Sequence, residues 1–100
     1  MKPIIFLPPA EEEMLEAASY YESKAENLGR RYIFEIERSK NIIINNPELY
    51  PILKYNIRRC IVRRFPYGIL YKIDPKEIVI VAIMHLNRKP DYWLNRIKNL

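Results

Sequence analysis

Every residue from Ile78 to Met84 is apolar, and that run constrains this chain more than any other feature. Side chains alternate between the two faces of a β-strand, so a strand without a polar side must be covered on both. Ile78 to Met84 therefore belongs at the centre of a sheet that carries packed material on each face.

The segments before it supply that material. Ile4 to Leu7 is a short β-prone run ended by Pro8-Pro9, and the second proline suits the first turn of a helix. From Ala10 to Leu28 the apolar positions Met14, Ala17, Ala18, Tyr21, Ala25 and Leu28 recur at three- and four-residue spacing, with Glu11, Glu12 and Glu13 in the first turn. The pattern predicts an amphipathic helix stopped by Gly29, which allows a tight reversal. Arg30 to Asn45 reads as a second helix, with Tyr32, Ile33, Ile36 and Ile43 on one side and Glu35, Glu37, Arg38 and Lys40 mostly away from it. Asn45-Asn46-Pro47 ends that helix, and Glu48 to Asn56 forms the longest loop.

Ile57 to Phe65 is the next predicted strand, and the Pro66-Tyr67-Gly68 region turns or bulges the chain into a third, Tyr67 to Ile73. In that third strand Tyr67, Ile69, Tyr71 and Ile73 alternate onto one buried face. Asp74-Pro75-Lys76 turns the chain into the central run, and Asp91 to Ile97 closes it with one or two helical turns. The expected order is β-α-α-β-β-β with a short C-terminal helix, an α+β arrangement in which a helical hairpin packs on a mainly antiparallel sheet. At 100 residues and 12.1 kDa, residues 1–100 make one expected domain with a small core.

No apolar run approaches the roughly 20 residues of a membrane span, and MKPIIFLPP is too short and too proline-interrupted for a signal peptide. A cytoplasmic location without membrane partners is expected. Cys60 is the only cysteine, which excludes an intramolecular disulfide and reads as a small core hydrophobe. Only Gly29 and Gly68 are glycines, so neither GxGxxG nor GxxxxGK[ST] can be present. The single histidine, His85, excludes a multi-histidine metal site, and no CxxC or HExxH motif occurs. Neither a cofactor nor a metal is expected.

Charge divides unevenly. Residues 1–53 hold 6 Lys or Arg and 9 Glu, while residues 54–100 hold 11 Lys or Arg and 3 Asp or Glu, for a net charge of +5. An asymmetry of this kind points to an anionic partner, nucleic acid or acidic protein, met by one face. Within Ile57 to Phe65, Arg58, Cys60, Val62 and Arg64 share one face and Arg59, Ile61, Arg63 and Phe65 the other. An isolated charge is costly to bury, so core-side arginines must sit at a rim or pair with helix glutamates. The remaining arginines are free to offer their multi-donor forks to phosphate or carboxylate. His85 titrates in a range that suits a general acid or base, although a strand-ending histidine bonded to backbone is the plainer reading. Glu11 to Glu13 read as a helix-start charge effect. Most of the tyrosines, Tyr20, Tyr21, Tyr32, Tyr67 and Tyr71 among them, fall at core periods; Tyr92 and Trp93, beside Arg88 and Lys89, are the better candidates for contact.

The AEEEMLEAASYYE opening of the first helix, LGRRY at the helix junction, NNPELYP, RRCIVRRFPYGILYKI and VAIMHLNRKPDYW together resemble the RelE/ParE superfamily of type II toxin-antitoxin toxins, the ParE-like "plasmid stabilization" branch in particular. The resemblance runs from about Phe6 to Arg96. It implies a small basic toxin held inactive by a cognate ParD-like antitoxin in a hetero-oligomer, the antitoxin wrapping the toxin with a helix or strand. The superfamily has two activities, poisoning of DNA gyrase and ribosome-dependent mRNA cleavage. In the nuclease branch an arginine usually follows the first aromatic residue of the third strand; here Tyr67 is followed by Gly68. The resemblance thus implies a gyrase poison, with Arg58, Arg59, Arg63, Arg64, His85, Arg88 and Arg96 as candidates for binding target or antitoxin. A ribosome-dependent, metal-independent endoribonuclease would instead use Arg63 or Arg64 as phosphate clamps and His85 or Tyr92 for proton transfer. A non-toxic partner-binding member is the third reading.

Overall fold

A computed structural model describes residues 1–98 and 100. Its central strand, β5 (Ile78–His85), is flanked on one side by β1 (Ile4–Phe6), in parallel, and on the other by β4 (Tyr67–Ile73), antiparallel. Two further antiparallel strands, β3 (Ile57–Ile61) and β2 (Ile52–Lys54), complete a five-stranded sheet in the order β1-β5-β4-β3-β2. Helices α1 (Pro8–Lys24) and α2 (Leu28–Asn45) form a hairpin on one face.

β5 is buried along its length up to Met84, and its two faces serve two separate cores, as its unbroken apolar run requires. On the helix side, Ile78, Ile80 and Ile83 pack with Tyr32, Ile36, Ile43, Cys60, Val62, Ile69 and Tyr71. On the other side Val81, Ala82 and Met84 join Ile57 and Leu70 beneath Trp93, with Tyr92, Leu94 and Ile97 packed around it. Simple alternation cannot put both Val81 and Ala82 on one face. The ladder pairs Leu70 with Ala82 but Tyr71 with Ile80, so Val81 is an extra residue and the strand changes phase at a bulge. Trp93 is 0% exposed, and its indole N–H donates to the Pro90 carbonyl at 2.8 Å. It is a core residue rather than the contact residue expected, and a 3-10 helix, Leu94–Ile97, follows it.

The helical hairpin turns differently from the expectation. α1 starts at Pro8-Pro9 but ends at Lys24, and the reversal falls on residues 25–27, where Asn27 takes a left-handed backbone, φ 67°. Gly29 lies inside the first turn of α2. A Cβ there would meet the Ala18 carbonyl oxygen at 2.5 Å, so this glycine permits close approach of the two helices rather than the turn. Glu22 on α1 accepts hydrogen bonds from the N–H groups of Asn27 and Gly29, both 3.0 Å, and so caps α2 from its neighbour.

The expected loop from Glu48 to Asn56 contains β2, a three-residue edge strand with every side chain exposed. Lys54 pairs with Ile57 around Tyr55 and Asn56, both at positive φ (53° and 62°), the backbone of a tight two-residue hairpin. β3 stops at Ile61, four residues earlier than its composition suggested, because Arg64 also takes a left-handed backbone, φ 71°. That residue breaks the alternation. Phe65, expected opposite Cys60 and Val62, turns into the same core and meets Tyr21 and Tyr32 at ring distances of 4.9 and 5.3 Å. Cys60 is buried as expected, and burial holds its thiol above the ordinary range. Tyr20 departs from its expected core role and is 56% exposed. Among the described residues no helix is long and apolar enough to cross a membrane.

Candidate partner-binding surfaces

The structure separates the arginines expected to bind a partner into three groups. Arg58 faces inward from β3, and its Nη1 donates to the carbonyls of Glu48 (3.2 Å) and Tyr50 (2.7 Å). A guanidinium spent on two backbone carbonyls is a staple for the segment leading into β2.

A second group surrounds Glu13. Arg96 grips this carboxylate with both terminal nitrogens, at 2.7 and 3.1 Å, and also donates to the Val81 carbonyl at 3.1 Å. The Tyr92 hydroxyl donates to Glu13 at 2.5 Å, and the backbone N–H of Ile83 donates to its other oxygen at 3.1 Å. Arg88 stacks over the Tyr92 ring, 4.0 Å from its centroid, with a nitrogen 3.8 Å from Glu13. Burial and the bond to Glu13 both hold the Tyr92 phenol well above its ordinary range. Glu13 was expected to do no more than favour a helix start. Its position three residues after Ala10 and four before Ala17, on the buried side of α1, was the signal for this larger role.

His85 ends β5. Its ring packs edge-on to Tyr67 at 5.1 Å, and its Nδ1 accepts from the N–H of Asn87 at 3.0 Å, the backbone bond of the plainer reading. With Glu13, Glu16, Tyr20, Tyr67 and Arg88 it lines a small cleft of about 200 Å³ beside α1.

The third group is unengaged. Arg59, Arg63 and Arg64 make no ion pair among the described residues, and Arg63 and Arg64 are exposed in the turn between β3 and β4. The stem of Arg59 crosses β4 at Gly68, where an added Cβ would lie 3.2 Å from its Cγ and Cδ. Arg64 lines a different recess, a groove of about 700 Å³ along α2 with Arg30, Arg31, Phe34, Glu35 and Phe65. Of the residues expected to clamp phosphate or transfer a proton, Arg64 lines the α2 groove and His85 the α1 cleft. Glu35 was expected to point away from the core, yet it is buried, 6% exposed. Its spacing of three from Tyr32 and four from Ser39, both buried, placed it on the core side.

Exposed apolar side chains cluster at the far edge of the sheet. Ile52, Leu53 and Tyr55 are exposed on and beside β2, whose outer backbone edge carries no further strand among the described residues. No group of three or more His, Cys, Asp or Glu side chains among the described residues could hold a metal ion.

A helical hairpin over one face of a mostly antiparallel five-stranded sheet, with a basic rim along it, defines an α+β fold. A solved structure of the chromosomal ParDE toxin-antitoxin system from P. aeruginosa contains a chain of the same fold, with a TM-score of 0.64 over 87% of this chain and 98% of that one, at 13% identity. Residues 4–90 match the family of ParE toxins of the type II toxin-antitoxin system parDE, and the chain belongs to that family. Among curated proteins no sequence matches.

Proposed function

We propose that this chain is a cytoplasmic toxin, acting as one domain, that poisons DNA gyrase and is neutralised by a cognate ParD-like antitoxin. The observation that carries the choice of target is the division of its basic residues. Two of the candidates for nuclease chemistry, Arg64 and His85, line different recesses, and the hydroxyl of a third, Tyr92, is committed to Glu13. A phenol held above its ordinary range by burial and by a carboxylate is a poor proton donor at neutral pH. Poisoning by binding requires a surface rather than a catalytic set, and Arg63 and Arg64, exposed together in the turn between β3 and β4 and in no ion pair among the described residues, supply cations for one. The exposed edge of β2, with Ile52, Leu53 and Tyr55, supports an antitoxin that adds a strand there.

Purified protein added to gyrase should block supercoiling and accumulate cleaved DNA complexes. Arg63→Ser combined with Arg64→Ser should weaken this by roughly tenfold or more while leaving the fold intact, since each removed charge-assisted hydrogen bond is worth about 1.5–3 kcal/mol. Undisturbed gyrase together with mRNA cuts at the ribosomal A site after induction would transfer the assignment to the ribonuclease reading. Growth arrest on expression without antitoxin would eliminate a non-toxic role.

A further inference from the structure

The groove along the first turns of α2 holds charges that do not neutralise one another. At its floor lies Glu35, 6% exposed, whose Oε1 is buried and meets no donor among the described residues. A carboxylate oxygen withdrawn from water without a donor is costly, and a fold that needed only packing would place an apolar residue there. Around the rim Arg30, Arg31 and Arg64 are exposed and in no ion pair among the described residues. Phe34, on the same recess, is 64% exposed. The N-terminus of α2 is not itself the attraction, because Glu22 already accepts from the N–H groups of Asn27 and Gly29. An anionic floor, a cationic rim and an apolar shoulder are complementary to a donor side chain flanked by carboxylates and an apolar residue. A polyanion satisfies the rim alone and would bring a second negative charge against Glu35.

We propose that this groove seats a short segment of an acidic partner protein, in which one basic side chain reaches Glu35 Oε1 while neighbouring carboxylates pair with Arg30, Arg31 and Arg64. This rests on the reading that the chain is neutralised by a protein partner, and it names the anchor by which that partner is recognised. The cost of keeping Glu35 unpaired in the free chain is recovered only when the basic anchor arrives, so the groove discriminates against acidic segments that lack one.

The test uses the full chain and a capped peptide, Glu-Leu-Lys-Glu-Leu-Glu, titrated to about 5 mM, a range that reveals binding of a few kcal/mol. NMR shifts are expected at Phe34, Arg64 and Phe65, and norleucine in place of lysine should weaken binding by roughly tenfold, as for loss of one charge-assisted hydrogen bond. Glu35→Met should abolish the preference for lysine and raise the Tm of the free chain by about 4 °C or more, since it removes a buried oxygen that meets no donor. Equal affinity for the two peptides, shifts elsewhere than the groove, or a Tm lowered by Glu35→Met would overturn the proposal. Failure of the parent reading looks different. If a cognate antitoxin neutralises wild type and Glu35→Met equally well, neutralisation stands and the anchor falls; if no acidic partner neutralises growth arrest, the parent reading falls.

Discussion

β1 ends at Phe6, and its ladder with β5 ends at Ile80, so beyond that point the backbone of β5 has no strand on this side among the described residues. Glu13 and Arg96 take the strand's place. The carboxylate accepts from the Ile83 N–H, the guanidinium donates to the Val81 carbonyl, and the two side chains hold each other. Each replaces half of a ladder bond, and together they join α1 to the segment that carries Trp93. Removing Glu13 leaves a buried N–H, the Tyr92 hydroxyl and a mostly buried guanidinium without their acceptor. Glu13→Ala should therefore cost about 3 kcal/mol, and the pair Glu13→Ala with Arg96→Ala should cost clearly less than the sum of the singles. Urea denaturation of the four proteins measures this, and strictly additive losses would show that the two side chains act independently.

At the scale of elements, the two helices are set by how closely they approach. Gly29 faces the Ala18 carbonyl, and a methyl group at 2.5 Å from a backbone oxygen cannot be absorbed by rotating a flexible side chain. Gly29→Ala should force the hairpin apart and cost about 2 kcal/mol, the usual magnitude of overpacking, visible as a lower urea midpoint at an unchanged m value. A neutral Gly29→Ala would mean that the helices can separate freely. The elements that could be read from the sequence are those whose periodicity is local: the apolar stripe of α2, the alternation of Tyr67 to Ile73, and the unbroken run of β5. Those that could not depend on single backbone conformations or distant partners. Arg64 at φ 71° ends the phase of β3, yet nothing in its side chain announces a left-handed residue. β2 is three exposed residues long and exists only because Tyr55 and Asn56 turn it back onto β3. The partners of Glu13 lie up to 83 positions away along the chain, which no helical pattern can reveal, although its spacing from Ala10 and Ala17 would have put it on the buried side of α1 rather than leaving it a helix-start charge.

For the molecule as a whole, the two cores on either side of β5 contain tyrosines that resist ionisation. Burial, the largest cause, raises the phenols of Tyr21, Tyr32, Tyr50, Tyr67, Tyr71 and Tyr92, and Tyr71 is pushed up to about 12. Tyr71 is 0% exposed and donates its hydroxyl to the Pro47 carbonyl at 2.6 Å, tying β4 to the end of α2. Below pH 10 these groups are protonated in both folded and unfolded chains, so their contribution to stability is fully present. Above it the unfolded chain releases the protons and the folded chain keeps them, so stability is lost as pH rises from 10 towards 12. Each tyrosine that stays protonated in the fold removes up to about 1.4 kcal/mol per pH unit in this window. Thermal unfolding followed between pH 8 and pH 12 should show a flat region and then a steep alkaline fall. Tyr71→Phe should lose about 1 kcal/mol at neutral pH with its hydrogen bond, and should fall less steeply above pH 10 because one proton fewer separates the two states. An alkaline limb as steep in Tyr71→Phe as in wild type would mean that Tyr71 ionises without unfolding the core, and that the hydroxyl between β4 and α2 is open to solvent.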